Sequence, residues 1–341
     1  MSTNSTPEVV VVTGASAGVG RATAEAFGAR GARVGLIARD EEGLDGARRA
    51  VEEAGGDALV LPADVADAEA IADAAGAVEE AFGPIDVWVN NAMTAVFSPV
   101  AEMTAEEFRR VTEVTYLGYV HGTKAALDRM RPRDRGTIVQ VGSALAYRGI
   151  PLQSAYCASK HAIQGFTESL RSELIHDDSA IQLTMVQLPA MNTPQFEQVR
   201  NRLPRDPRPV SPIYQPEVAA RAITWAVDHD RDELWVGWPT VKSIVGNRLF
   251  PRRLDRTLAH QAWDAQMTDE PSDPDRPDNL FEPVDTDLGA HGPFDDRARQ
   301  TSLTLWATTH RALVAAVGTA SASLIALLAW VLLDQGDGRS G

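Results

Sequence analysis

The sequence predicts an α/β protein with a doubly wound sheet of seven parallel strands, helices on both faces, and a C-terminal extension that ends in an apolar helix. Apolar and β-branched runs alternate with segments of helical period along residues 8–239. The first run, EVVVVT at 8–13, is continuous, as expected for a strand that is covered on both faces. A glycine-rich turn, TGASAGVG at 13–20, joins this strand to the first helix.

The other elements follow in an order that fits right-handed crossovers between parallel strands. The predicted strands are residues 8–13, 31–38, 57–65, 85–92, 136–144, 181–190 and 232–239. The predicted helices are residues 20–30, 41–54, 68–82, 104–130, 154–174 and 218–229.

The turn at 13–20 predicts a site for the pyrophosphate of a dinucleotide. Glycines allow a close backbone approach, and the start of the following helix offers free N–H groups and the positive end of its dipole. A tight turn without a ligand is the alternative, but the position between a first strand and a first helix favours the nucleotide. The predicted contacts are Gly14, Ser16, Gly18, Val19 and Gly20.

The end of the second strand indicates which dinucleotide binds. Sites selective for NAD place an acidic residue there, whereas here Arg39 follows Ala38. A guanidinium can pair with a 2′-phosphate, so the predicted cofactor is NADP(H). Asp40 is adjacent and weakens this argument, and the alternative for Arg39 is a solvated loop charge. Asp64 and Val65 are predicted at the adenine edge, and the alternative for Asp64 is a helix N-cap.

Tyr156 and Lys160, in YCASK at 156–160, are the predicted acid–base pair. Positions i and i+4 share one helix face. An ammonium beside a phenol lowers the phenol pKa, as proton transfer at neutral pH requires. This spacing is common by itself. Ser143 makes it specific, because it ends the fifth strand at the carboxyl edge of the sheet, where doubly wound folds bind ligands.

These stretches together resemble the short-chain dehydrogenase/reductase family, in its single-domain Rossmann-fold branch. The matching motifs are TGASAGVG at 13–20, DV at 64–65, NNA at 90–92, GS at 142–143, YCASK at 156–160 and LPAMNT at 188–193. The resemblance implies that Tyr156 gives a proton to a carbonyl oxygen, that Lys160 also binds the nicotinamide ribose, and that Ser143 holds the substrate oxygen. Further cofactor contacts that it implies are Asn90, Asn91, Ala92, Pro189 and Thr193.

Two positions depart from the family pattern. Thr115, in VTYLG at 114–118, stands where the family carries an asparagine that completes the catalytic group and orders a proton-relay water. Its shorter side chain puts the relay in doubt. Met93 follows NNA where the family usually has glycine, which narrows the pocket and makes it more apolar.

Apolar side chains flank the predicted catalytic group and indicate a small lipophilic carbonyl or alcohol as substrate. Ordinary core or lid packing is the alternative for each of them. The predicted substrate contacts are Met93, Phe97, Leu145, Leu152 and Met191. No metal is predicted, because the histidines show no metal-ligand spacing.

The net charge limits the classes of binding partner. The formal net charge of −15 argues against nucleic acid.

The chain is predicted to divide into three parts. Residues 1–239 are predicted to form the NADP-binding catalytic domain. Residues 240–300 are predicted to form a helical segment and then an acidic, proline-rich linker or surface-wrapping arm. By the family resemblance, the helices at 104–130 and 154–174 are the expected face of a homodimer or homotetramer.

Residues 303–333 are predicted to form a transmembrane helix, because 312–333 carry no charge and about 20 apolar residues span a bilayer. Arg297, Arg299 and Arg311 precede this stretch and only Arg339 follows, which places the catalytic domain on the cytoplasmic side. The alternatives are a docked or dimerising helix and a soluble cytoplasmic protein.

The function predicted from the sequence is therefore a membrane-anchored, NADP(H)-dependent oxidoreductase that interconverts a carbonyl and an alcohol by hydride transfer, with Tyr156 as the general acid and base. The alternative is a cofactor-binding, weakly catalytic or non-catalytic membrane-tethered sensor or scaffold. Thr115 is its support in the sequence.

Overall fold

A parallel sheet of seven strands forms the centre of the computed structural model, which describes residues 7–316. In chain order the strands are β1 (Val9–Thr13), β2 (Arg33–Ala38), β3 (Asp57–Pro62), β4 (Val87–Asn90), β5 (Thr137–Ser143), β6 (Gln182–Leu188) and β7 (Glu233–Trp235). Their order across the sheet is β3-β2-β1-β4-β5-β6-β7, and every neighbouring pair is parallel. The predicted doubly wound sheet is confirmed, although several strands are shorter than predicted.

Helices cover both faces of this sheet. They are α1 (Gly18–Gly28), α2 (Glu41–Ala54), α3 (Ala68–Phe82), α4 (Ala105–Thr112), α5 (Gly118–Met130), α6 (Ser154–His176), α7 (Pro216–Val227), α8 (Trp238–Leu249), α9 (Pro251–Ala265) and α10 (Leu303–Thr309). One π-helical turn, Glu113–Leu117, joins α4 to α5, so the single helix predicted at 104–130 is continuous but irregular in its middle.

Helices on both faces of the sheet explain why the valines of β1 follow one another without polar alternation. Val10 packs in one core with Phe27 of α1, whereas Val11 packs in the opposite core with Ile71 of α3. All five residues of β1 are buried. Successive side chains of a strand point to opposite faces, so a strand with helices on both sides is apolar at every position.

The direction of winding reverses between β1 and β4. From β1 the chain proceeds through β2 to β3 on one side, and from β4 it proceeds through β5 and β6 to β7 on the other. The helices that leave β1 and β4 therefore diverge, and a cleft opens at the carboxyl ends of these two strands. This cleft is where the predicted site residues should meet.

The C-terminal extension packs onto the sheet domain. Met267–Pro271 pairs antiparallel with Arg205–Pro207. Residues 272–300, called the arm below, have almost no regular structure and run back over the carboxyl edge of the sheet, where Gly289 O accepts a hydrogen bond from Gly18 N (3.0 Å). Of the two forms that the sequence allowed, the structure has the surface-wrapping arm.

The apolar C-terminal helix is not confirmed. The short helix α10 buries Leu305 against the domain, and residues 311–316 are also helical. Between residues 7 and 316, no helix is both long enough and apolar enough to cross a membrane. Residues 317–333 of the predicted span lie outside the residues that the structure describes.

Candidate active site

Most of the predicted site residues line one cavity of about 1000 Å³ at the carboxyl ends of β1, β4 and β5. The cavity extends from the glycine turn, past the predicted catalytic group, to the helices α8 and α9. Of the predicted residues, it is lined by Gly14, Ser16, Gly18, Val19, Arg39, Asp64, Val65, Asn91, Ala92, Met93, Phe97, Ser143, Leu145, Tyr156, Lys160, Pro189, Met191 and Thr193. Its wall does not include Gly20, Asn90, Thr115 or Leu152.

The glycine turn is packed so closely that side chains are excluded from it. Gly14 has φ +66°, and a Cβ there would lie 2.7 Å from Ala92 Cα. A Cβ on Gly20 would lie 2.0 Å from Gly14 O, so Gly20 shapes the turn from behind although it does not line the cavity. The helix α1 begins at Gly18, whose N–H donates to Gly289 O of the arm (3.0 Å). This cradle fits a pyrophosphate group.

The two asparagines of the NNA motif have different roles. Asn91 lines the cavity and donates from Nδ2 to the carbonyls of Thr13 (3.0 Å) and Gly14 (3.2 Å), which ties β4 to the glycine turn. Asn90 is fully buried, and its Nδ2 donates to Thr123 Oγ1 and Gln140 Oε1, both at 3.0 Å. Asn90 therefore does not line the cavity in this structure, and its amide holds β4 against β5 and α5.

The predicted adenosine end of the cavity is closed by the arm. Arg39 donates to the carbonyl of Phe281 (2.7 Å) and to that of Asn279. Arg110 donates from Nε to the carbonyl of Leu280 (3.0 Å) and forms an ion pair with Asp64. Arg39, the predicted partner of a 2′-phosphate, therefore lies at the expected place but binds backbone carbonyls of the arm. Burial has the largest effect on its pKa, which is lowered.

Asp64 is not a helix N-cap. Its Oδ1 accepts from Ala66 N (2.9 Å), whereas the cap of α3 is Asp67, which accepts from Glu69 N and Ala70 N. The alternative role that we considered for Asp64 is thus wrong. Its carboxylate faces Arg110 at the wall of the cavity.

Asp287 fixes the arm to the first two helices. Its carboxylate forms ion pairs with Arg21 (3.1 Å) and Arg49 (3.4 Å). It also lies over Gly46, where a Cβ would approach Asp287 Oδ2 to 2.0 Å. Three residues that the sequence analysis missed, Asn279, Pro283 and Val284, thereby become part of the cavity wall. The acidic composition of 268–300 was the only signal, and composition does not identify which basic residues the arm meets.

Asp40 adds a second acidic group at this end. It caps α2 by accepting from Gly43 N (3.1 Å). Burial, with a smaller contribution from Asp285 of the arm, raises its pKa to about 6. The carboxyl that we identified as a complication for the binding of a 2′-phosphate is therefore less acidic than an ordinary aspartate.

The predicted catalytic residues come together as expected. Ser143 is the last residue of β5, and Tyr156 and Lys160 lie one turn apart on α6, all on the cavity wall. Lys160 is 2% exposed, and its ammonium nitrogen lies 5.6 Å from the centroid of the Tyr156 ring. Burial lowers the pKa of Lys160 to about 7.

The shift in the pKa of Tyr156 differs from the one expected from the sequence. Burial has the largest effect and raises the pKa of Tyr156 well above its usual value, while a hydrogen bond with Ser143 opposes this rise. We had expected Lys160 to lower the pKa of Tyr156. Instead its ammonium donates to Tyr119 Oη (3.0 Å) and Val141 O (2.8 Å). These two acceptors hold Lys160 in place behind the phenol.

Tyr119 is a residue that the sequence analysis missed. It is 1% exposed, lies on α5, and donates from its hydroxyl to Val141 O (2.9 Å) while accepting from Lys160. It does not line the cavity, so it positions Lys160 rather than contacting a ligand. No motif in the sequence marks it, because its partners come from β5 and α6.

Thr115 does not face the cavity. Its hydroxyl donates to Thr94 O (2.8 Å) and accepts from Thr94 N (3.0 Å), and the side chain is fully buried. Because its only proton is already donated, this hydroxyl cannot also donate to a relay water. In this structure Thr115 fixes the loop after β4, and its place in the catalytic group stays a prediction.

Of the five predicted substrate contacts, four line the cavity and one packs in the core. Met93, Phe97, Leu145 and Met191 line the cavity. Leu152 is 3% exposed, packs among Phe97 and Phe196, and does not line it. Packing, which was the alternative for Leu152, is correct. The sequence analysis missed further apolar lining, which comes from the segment after β6 and from the region of α8 and α9, namely Phe196, Val199, Trp238, Phe250, Leu254 and Leu258.

The doubly wound parallel sheet, with its cavity at the carboxyl ends of the strands, is a fold of the Rossmann type. Residues 8–204 match the model of a known family, the short chain dehydrogenases. The chain belongs to the short-chain dehydrogenase/reductase family.

Individual relatives extend this assignment beyond the matched region. The chain is 32% identical over 326 residues to the uncharacterized oxidoreductase YxnA of Bacillus subtilis, which covers 95% of this chain and 89% of that protein. A solved short-chain dehydrogenase from Streptomyces avermitilis is similar with a TM-score of 0.64 and 30% identity, over 74% of this chain and 96% of that one. A metagenomic short-chain oxidoreductase in complex with NADP is similar with a TM-score of 0.57 and 28% identity, over 68% and 98%.

Proposed function

We propose that the protein is an NADP(H)-dependent oxidoreductase that interconverts a lipophilic carbonyl compound and its alcohol. The observation that carries this proposal is that Ser143, Tyr156 and Lys160 line the same cavity as the glycine turn. A dinucleotide bound at the turn would lie along the floor of this cavity towards Tyr156. When bound, the nicotinamide supplies or accepts the hydride.

The protein itself supplies the proton and orients the substrate. In the reducing direction, Tyr156 donates its phenolic proton to the carbonyl oxygen as that oxygen gains charge. Ser143, whose hydroxyl lies beside the phenol, donates to the same oxygen and fixes its position. In the oxidising direction, the phenolate takes the proton of the alcohol. Lys160, with a pKa of about 7, sits behind Tyr156 and is positioned to favour the phenolate when protonated.

Two observations support NADP(H) over NAD(H). Arg39 follows β2 where NAD-selective sites have a carboxylate, and its guanidinium lies on the cavity wall. The metagenomic short-chain oxidoreductase that resembles this chain was solved in complex with NADP. A 2′-phosphate at this position would replace the carbonyls of Asn279 and Phe281 as the partner of Arg39.

The direct test is consumption of NADPH by the full-length protein with a panel of aliphatic and aromatic aldehydes and ketones, with NADH as the parallel cofactor. Turnover with NADPH that exceeds turnover with NADH supports both parts of the proposal. Turnover with NADH alone would remove the NADP assignment. Saturable binding of NADPH without turnover on any member of the panel would count against the oxidoreductase function.

A second candidate is a cofactor-binding protein with little catalysis. The hydroxyl of Thr115, which stands at the place of the relay asparagine of the family, is fully used by Thr94, and this favours slow proton transfer. Under this alternative, NADPH binds but substrate turnover stays slow for every compound. The rate of single-turnover reduction distinguishes the two, because only slow chemistry, and not slow product release, supports the second candidate.

A further inference from the structure

The charged residues that line the cavity are unevenly distributed. Among the residues that the structure describes, the carboxylates of the lining are Asp40 and Asp64, which lie with Arg39 at the end predicted to hold adenosine. Beyond the catalytic group, at the end that opens between α8 and α9, the charged lining residues are all cations. They are Arg148, Arg208, Lys242 and Arg253. The protein as a whole carries 47 acidic against 32 basic residues, so a region whose charged lining residues are all cations is contrary to its average composition.

Two of these four cations already have partners. Arg148 pairs with Asp255, and Arg208 donates to Ala265 O (3.2 Å). Lys242 on α8 and Arg253 on α9 differ, because their side chains form no ion pair or hydrogen bond with any residue between 7 and 316. Both are exposed at the opening. Two cations without a carboxylate partner on a strongly acidic protein form a natural site for an anionic group.

Apolar side chains line the same cavity as these cations and the catalytic group. They include Met191, Phe196 and Val199, and Leu254 and Leu258 of α9. At the opening, Trp238 is 62% and Phe250 60% exposed, which is unusual for large apolar side chains beside unpaired cations. A ligand that matches this arrangement has a reactive oxygen at one end, an apolar body, and an anionic group at the other end.

We propose that Lys242 and Arg253 bind the anionic end of an amphiphilic substrate, a carbonyl or alcohol compound whose apolar chain extends from Tyr156 to the opening between α8 and α9. This inference rests on the proposed function for the identity of the reacting group. The binding of the anion does not depend on it, because the two cations lie on helices apart from the catalytic residues. The chemical class is a medium- or long-chain compound with a terminal carboxylate, sulfate or phosphate.

Binding without chemistry gives the first test. Decanoate and its uncharged analogue methyl decanoate are titrated into the full-length protein by calorimetry, at low and at moderate salt. We expect decanoate to bind about tenfold more tightly than the ester, with a difference that decreases as salt is raised. In the double variant Lys242→Gln, Arg253→Gln this preference falls to near unity. Equal binding of the two compounds to the wild-type protein would overturn the inference.

A matched control separates the site from the general charge of the helices. Arg252 and Arg256 lie on α9 near Arg253 and are also exposed, but they do not line the cavity. The variant Arg252→Gln, Arg256→Gln removes the same charge and should keep most of the preference for decanoate. If both double variants lose the preference for decanoate to the same extent, then the general positive charge of the helices causes the preference and the assigned site is wrong.

Kinetics then test the link to the reaction. The substrates are 10-oxodecanoate and its methyl ester, with NADPH. We expect kcat/KM for the acid to exceed that for the ester by about tenfold, mostly through KM, since the cations touch the ligand far from the reacting carbon. The variant Lys242→Gln, Arg253→Gln should lose this ratio and keep turnover of the ester. A selective binding of decanoate with no turnover of either aldehyde would contradict the oxidoreductase function and leave the anion site intact. Turnover of both aldehydes at equal kcat/KM would support the oxidoreductase function and contradict the anion site.

Discussion

The ammonium of Lys160 donates a hydrogen bond of 3.0 Å to the hydroxyl of Tyr119, and that hydroxyl donates in turn to Val141 O at 2.9 Å. Lys160 also donates directly to Val141 O. The three groups form a closed triangle under the predicted catalytic phenol. A tyrosine outside the cavity therefore determines where the ammonium of Lys160 sits.

Replacing Tyr119 by phenylalanine tests this relationship. Tyr119→Phe leaves the ring in the core and removes one acceptor of Lys160, so we expect a loss of about 1 kcal/mol in the free energy of unfolding. We also expect the dependence of kcat on pH to move, because Lys160 loses a partner of its charged form. The control is Tyr116→Phe, on the same helical segment. If the pH profile of kcat is the same in Tyr119→Phe and wild type, Tyr119 has only a packing role.

The depressed pKa of Lys160 has a consequence for stability. Its pKa is about 7 in the folded protein and near 10.4 in the unfolded chain. Between these values the unfolded chain binds more protons, so this residue makes the free energy of unfolding rise with pH from about 7 to about 10, by at most about 1.4 kcal/mol per pH unit. Urea unfolding at several pH values should show this rise in the wild type.

Two lysine variants isolate the effect. Lys160→Met cannot titrate, so the difference in stability between wild type and this variant should change steadily across that range. For Lys124→Met, at an exposed position of α5, the free energy of unfolding should change with pH in parallel with that of the wild type. Parallel curves for Lys160→Met as well would mean that Lys160 keeps an ordinary pKa in the folded protein.

Arg39 determines the choice of cofactor if it binds the 2′-phosphate. Arg39→Ala removes charge-assisted hydrogen bonds worth about 1.5–3 kcal/mol, so the Kd for NADPH should rise by about tenfold to hundredfold and the Kd for NADH should hardly change. Titration of the protein with each cofactor, followed by fluorescence, measures both Kd values. A similar loss for the two cofactors would show instead that Arg39 acts through the arm, whose carbonyls it binds.

Asp287 anchors the arm through Arg21 and Arg49. Asp287→Asn should loosen the arm, speed hydrogen exchange in residues 278–289, and weaken the binding of both dinucleotides, because Asn279, Pro283 and Val284 form part of the cavity wall. Asp296→Asn is the control, since that carboxylate lies on the same arm and, among residues 7–316, pairs only with its neighbour Arg297 (3.6 Å). Unchanged exchange in Asp287→Asn would show that the arm is held by other contacts.

Local patterns made the sheet and the glycine turn predictable. The buried run of β1 and the close approach of Gly14 to Ala92 depend on residue types that are visible in the sequence. The motif positions of Ser143, Tyr156 and Lys160 were sufficient to bring them to one cavity, because the carboxyl ends of parallel strands share an edge.

Direction of side chains and contacts between distant segments were not predictable. Asn90 and Asn91 are adjacent, yet Asn90, the last residue of β4, is buried and Asn91, which follows the strand, lines the cavity. Leu152 is close in sequence to the cavity residues but turns into the core. The arm meets Arg21 and Arg39 from more than 200 residues away, and its irregular chain has no period from which a docking position follows.

The central claim is that Tyr156 supplies the proton of a carbonyl reduction at this cavity. Its most direct test is a comparison of Tyr156→Phe with wild type in two measurements on the full-length protein, the Kd for NADPH and the single-turnover rate with the best aldehyde of the panel. The account predicts that the Kd stays within about threefold, while the rate falls by about 10²–10⁴-fold, as expected for loss of a general acid. A variant that reduces the aldehyde at the wild-type rate would contradict the account, because the proton would then come from another group.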